Sequence, residues 1–95
     1  MTVIEEIAAE RARQITHEDY DHAHDDKHRD GEIAMAAATY AAGIGFSGLW
    51  PADWGFPKYD MNPRRNYIKA AALLVAEIER IDRAKIEAEF SAEMA

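Results

Sequence analysis

Along this 95-residue chain, apolar residues recur every three or four positions in three stretches. That spacing lines one face of an α-helix. In residues 2–16 the stripe is Ile4, Ile7, Ala8, Ala12 and Ile15. Glu6, Glu10 and Arg13 fill the opposite face, with Arg11 and Gln14 near the stripe's edge. Thr2 and Glu5 have the spacing of a capping box, which satisfies the first free N–H groups of a helix. Residues 31–42 are rich in alanine, and Ile33, Ala37 and Tyr40 mark the expected inner face. Gly43 and Gly45 end that helix, because glycine takes the positive φ of a C-cap without steric cost. Asn62 caps a third helix and Pro63 suits its first position. Tyr67, Ala71, Leu74, Val75, Ile78, Ile81 and Ile86 keep a helical period there, to about Phe90. Such a helix reaches roughly 40 Å at 1.5 Å per residue.

The period breaks twice. Residues 17–30 hold all four histidines, six acids, two bases and one sizeable apolar group, Tyr20. A segment this polar builds no core by itself, so it reads as a loop with at most one short helical turn. Residues 46–61 hold five of the nine aromatic residues together with two prolines and two glycines. Proline and glycine at this density preclude a long helix or a central strand. A connection of this length favours a packed or ligand-binding loop.

The pattern predicts an all-α fold: one domain over 1–95, with three main helices, two long irregular loops and a long C-terminal helix. Two shorter helices do not cover the third. Its far end therefore either frays or packs on another chain, and the expected product of packing is a two-fold homodimer.

Composition narrows the partners. There are 18 acids against 11 bases, a net charge of −7, which disfavours generic nucleic-acid binding. No apolar run reaches the roughly 18 residues of a membrane span. The start, Thr2-Val3-Ile4-Glu5-Glu6, lacks the basic and apolar segments of a signal peptide. With no cysteine, disulfides and thiolate metal sites are excluded and nothing argues for secretion, so a cytoplasmic location is expected.

Three clusters carry candidate chemistry. His22, His24, Asp25, Asp26 and His28 are nitrogen and oxygen donors of the kind that hold divalent ions. No second ligand pair stands at a recognised spacing, so the bland reading is a polar loop that caps the second helix, and no stable metal centre or cofactor is expected. Glu79 and Asp82, with Glu5, Glu6 and Glu10, suggest the carboxylates of all-α metal-dependent nucleotide pyrophosphohydrolases. The first helix spaces Glu6 and Glu10 one residue too far for that motif, and ion pairing on an exposed face also accounts for Glu79 and Asp82. The third cluster is basic and aromatic. Residues 54–76 hold Lys58, Arg64, Arg65 and Lys69 against one acid, beside Trp50, Trp54, Phe56 and Tyr59. Two guanidinium groups at a helix N-terminus favour an anion, and flat rings offer stacking surfaces for a base. The intramolecular reading pairs Arg64 and Arg65 with Asp25 and Asp26 and puts at least one tryptophan in the core.

The pattern Glu10-Arg11-Ala12-Arg13-Gln14, His24-Asp25-Asp26-Lys27-His28, Trp50-Pro51, Arg64-Arg65-Asn66-Tyr67 and Ala76-Glu77-Ile78-Glu79-Arg80-Ile81-Asp82-Arg83 resembles a family of small phage and prophage proteins without assigned function. More distantly, Asp25-Asp26-Lys27 and Arg65-Asn66-Tyr67 are similar to segments of the RyR domain, with Asp19-Tyr20 where that domain has a Gly-Trp turn. The resemblance implies a pocket for an adenine-nucleotide-like ligand. The expected function is thus a phage-type module without enzymatic activity that binds a small anionic, nucleotide-derived ligand, in its concrete form by sequestering a host defence signal. Arg11, Gln14, Tyr20, His24, Asp26, Trp50, Trp54, Arg64, Arg65 and Lys69 are the expected ligand contacts. The alternatives are the metal-dependent hydrolase and an acidic protein that inhibits a host complex by binding it.

Overall fold

The computed structural model describes residues 1–95, with the side chains of all but Ile44, Phe46 and Ser47. Every regular element among them is helical: α1 (Val3–His17), α2 (His22–Asp26), α3 (Glu32–Ala42), a 3-10 segment (Ile44–Leu49) and α4 (Pro63–Met94). The caps follow the sequence. Thr2 Oγ1 accepts the Glu5 N–H while the Glu5 carboxylate accepts the Thr2 N–H, closing the box that starts α1. Asp21 caps α2 by accepting the His24 N–H. Gly43, at φ 98°, ends α3 in a conformation that a side chain would strain. Asn62 accepts the Arg64 N–H, with Pro63 as the first residue of α4.

The core lies between α3 and α4. Ile33, Ala36, Ala37 and Tyr40 pack on Ala70, Leu73 and Ala76, and Tyr20, Trp50, Trp54 and Tyr59 close over the edge. Alanines on both helices let the backbones approach closely. The two tryptophans are therefore both packing residues, where the sequence required only one.

The apolar stripes of α1 and α4 face outward, and beyond Val75 the sequence already leaves that of α4 uncovered. The stripe of α1 lies outward: Ile4, Ala8 and Ala12 are exposed and Ile7 and Ile15 half-buried, whereas Glu10, Arg11 and Gln14 are buried. On α4, Tyr67, Leu74, Val75, Ile78, Ile81 and Ile86 are exposed, and the buried arc is Ala70, Leu73 and Ala76 with Asn66, Glu77 and Arg80. The buried arc of α4 holds Ala70, Ala72 and Ala76 with only Ile68 and Leu73 as large apolar residues, so most of the helix's bulk lies outside. Helix α1 then meets α4 through charged groups. At its far end, residues 85–94 of α4 are all exposed, standing clear of the rest of the chain.

Candidate functional site

The buried face of α1 forms a ladder of polar contacts to α4 and α2. Arg64 holds Glu6 with both terminal nitrogens, at 2.7 and 2.9 Å. One turn on, Arg65 pairs with Glu10, which also takes Arg13 at 2.8 and 2.9 Å and the Gln14 amide at 3.3 Å. The same Gln14 amide reaches the Lys69 carbonyl at 3.3 Å. Arg11, 6% exposed, meets Asp25, 1% exposed, at 2.7 Å and donates to the Tyr20 carbonyl at 2.7 Å. The partners expected for Arg64 and Arg65, Asp25 and Asp26, are thus replaced by Glu6 and Glu10. Asp25 goes to Arg11, and Asp26 goes to Arg83 at 2.8 Å.

These pairings set the carboxylates. The Arg64 guanidinium holds Glu6 below its ordinary pKa. Burial pushes Glu10 upward, but Arg13 and then Arg65 outweigh it, so the net direction is down. Glu18 follows the same balance, with burial opposed by Lys58 at 2.6 Å and by Arg13. Burial lowers Lys69, and the neighbouring Arg65 charge adds to that; its ammonium donates to the Lys58 carbonyl at 2.6 Å and lies 5.5 Å from the centre of the Tyr40 ring. Burial pushes the Tyr20 phenol up to about 12.

The second part of the assembly is aromatic. His24 lies nearly parallel to Tyr20, 4.8 Å between ring centres, and its Nδ1 is 2.9 Å from Asp25. His28 Nδ1 lies 2.7 Å from the His24 carbonyl, which can only accept, so that nitrogen carries the proton. The bare His28 Nε2 then accepts the Trp54 indole N–H at 3.3 Å. Trp54 meets Trp50 edge-on at 5.6 Å, Trp50 meets Tyr40 at 5.4 Å, and Tyr40 meets Tyr59 at 5.7 Å. Among the described residues, no three His, Asp or Glu side chains converge as a metal cage would require.

The ten residues singled out from the sequence therefore fall into three places. Arg11, Gln14, Arg64, Arg65 and Lys69 belong to the polar ladder. Tyr20, His24, Trp50 and Trp54 belong to the ring stack, and Asp26 ties α2 to α4. Their chemistry is spent within the chain: every carboxylate of the ladder faces a cation. Two buried atoms of the group, Arg11 Nε and Gln14 Oε1, have no partner.

The sequence reading missed a cavity of about 410 Å³ between the end of α3 and the start of α4. Tyr40, Tyr59, Tyr67, Asp60, Met61 and Asn66 are among its walls. The available signal was three tyrosines placed around the Gly43 turn and the Asn62-Pro63 cap.

No family model matches this chain, and no curated protein or solved structure is similar to it. Among the described residues no helix is long and apolar enough to cross a membrane.

Proposed function

We propose that this chain is a self-associating helical module, in which two copies pair antiparallel along the outer face of α4. One observation carries the reading: α4 leaves Tyr67, Leu74, Val75, Ile78, Ile81, Ile86 and Phe90 exposed on one side, while Ala70, Ala72 and Ala76 with Ile68 and Leu73 are buried on the other. Tyr67, Ala71, Leu74, Ile78 and Ile81 follow one another at alternating steps of four and three, continued by Lys85, Ala88 and Ala92. That is the seam of a two-helix coiled coil, and a lysine in such a seam helps to set register. An unpaired face of this kind marks an interface.

Charge selects the partner and its direction. Residues 63–76 of α4 hold Arg64, Arg65 and Lys69 and no acid, whereas residues 86–94 hold Glu87, Glu89 and Glu93 and no base. Both ends oppose the helix's own macrodipole. A parallel copy sets the acidic far ends of α4 side by side, whereas an antiparallel copy separates them; Arg64 and Arg65 are already paired with Glu6 and Glu10 and add no free charge. With the two-fold axis beside Ile78 and Ile81, Tyr67 faces Ala92 of the second copy and Ala71 faces Ala88.

The reading as a receptor for a small anionic, nucleotide-derived ligand ranks second. An anion at Arg64 and Arg65 would have to displace both Glu6 and Glu10.

The chain has no cysteine, so single cysteines report pairing without background. Light scattering is expected to give the mass of two chains at micromolar concentration, and Ile78→Asp to give one chain with unchanged helical circular dichroism. Mixed under mild oxidant, Tyr67→Cys and Ala92→Cys chains should form the mixed disulfide. A monomer throughout overturns the pairing; a Tyr67→Cys chain that bridges only to itself overturns the antiparallel arrangement.

A further inference from the structure

The cavity between α3 and α4 has walls of one electrostatic character, opposite to that of the arginine pair nearby. Tyr40 and Tyr59 meet edge to face in its wall, 5.7 Å apart at 70°, and Tyr67 joins them from the first turns of α4. Tyrosine rings present a negative face to whatever lies over them. The backbone of Ala41, Ala42 and Gly43 adds the C-terminal end of α3, where the helix dipole is negative. At the rim stands Asp60. Its backbone is clamped from both sides by Asn66, which accepts its N–H at 2.7 Å and donates to its carbonyl at 2.9 Å. One Asp60 carboxylate oxygen accepts the Asn62 N–H at 2.8 Å, and the other has no partner among the described residues. No lysine, arginine or histidine lines the cavity.

The volume of about 410 Å³ is that of a small-molecule site. Aromatic walls, a fixed carboxylate and a negative helix end together suit one ligand class. We infer that this cavity binds an organic cation, an alkylated or quaternary ammonium group, held over the tyrosine rings with its charge toward Asp60. Such groups are recognised through the ring quadrupole, and the contact strengthens as water is excluded. Within the chain the Tyr40 ring already takes a cation, the Lys69 ammonium, 5.5 Å from its centre. The site requires no displacement of an internal ion pair.

Choline and its neutral isostere 3,3-dimethylbutan-1-ol separate charge recognition from simple filling of an apolar hole. Titrated at millimolar concentration and followed by amide shifts, choline is expected to move the signals of residues 40–43 and 59–67, with the isostere about tenfold weaker. Tyr59→Leu should weaken choline about tenfold and Asp60→Asn severalfold, with melting temperatures showing that each variant stays folded. Tyr67 is left untouched because it also lies on the α4 seam. Equal binding of the two probes would make the cavity merely apolar and overturn the assignment. Absence of shifts at these residues in the wild-type chain would overturn the site itself.

Discussion

Leu73 and Leu74 are neighbours in sequence with opposite fates. Leu73 is 2% exposed, wedged between α3 and α4, whereas Leu74 is 47% exposed on the far side of the same helix. The inner face of α4 is narrow and exacting: alanines admit α3, and the few polar groups there are paired. The outer face is wide, greasy and unpaired within the chain. What separates the two leucines is register: one residue turns a helix by about 100°, which carries Leu74 off the arc that Ala70, Leu73 and Ala76 turn to α3.

The comparison breaks most sharply at the buried ion pair. Asp25→Ala leaves the buried Arg11 guanidinium without its counter-charge, with only the Tyr20 carbonyl to accept from it, and removing one partner of such a pair costs about 3–5 kcal/mol. Urea unfolding should show that loss, and Arg11→Met with Asp25→Leu in one chain should recover most of it. Next comes the leucine pair. Leu73→Ala should cost about 2–5 kcal/mol, the range for a buried leucine, while Leu74→Ala changes chain stability by less than about 0.5 kcal/mol when measured on monomeric Ile78→Asp protein. The smallest effect is a pH dependence. Glu6, Glu10 and Glu18 have folded-state pKa values below their unfolded ones, so their stabilisation is complete above the ordinary carboxylate value of about 4.3. It fades as pH falls through the lowered folded values. Melting temperature should therefore decline on acidification below about pH 4.3, and Glu10→Gln should flatten that decline.

Local chemistry made the helix ends legible. The Thr2 and Glu5 box, the Gly43 stop and the Asn62-Pro63 start each act over a few residues and stand where the sequence puts them. The faces were not legible. Periodicity finds an apolar arc but not which arc is inward, and α4 has two, one of alanines and one of isoleucine and leucine. Pairings across the fold were equally hidden. Arg64 and Arg65 find Glu6 and Glu10, 58 and 55 residues away, and nothing local distinguishes those acids from Asp25 and Asp26. The ring contacts of Trp54 with His28 and of Tyr40 with Tyr59 depend on how the second loop folds back, which proline and glycine permit without specifying.

The ladder under α1 is graded, and the gradient gives the helix a direction of opening. Its first rung, Glu6 with Arg64, stands in solvent; the second, Glu10 with Arg65, is buried on one side; the third, Arg11 with Asp25, is buried on both. Salt screens exposed charges far more than buried ones, with a Debye length that shrinks from about 10 Å at 0.1 M to about 3 Å at 1 M. Raising ionic strength therefore loosens α1 from its N-terminal end while Arg11 keeps its grip, so amide protons before Glu10 exchange faster and those after Arg11 do not. The helix behaves as a zip fastener with its stop at Arg11, and ionic strength sets how far it is open.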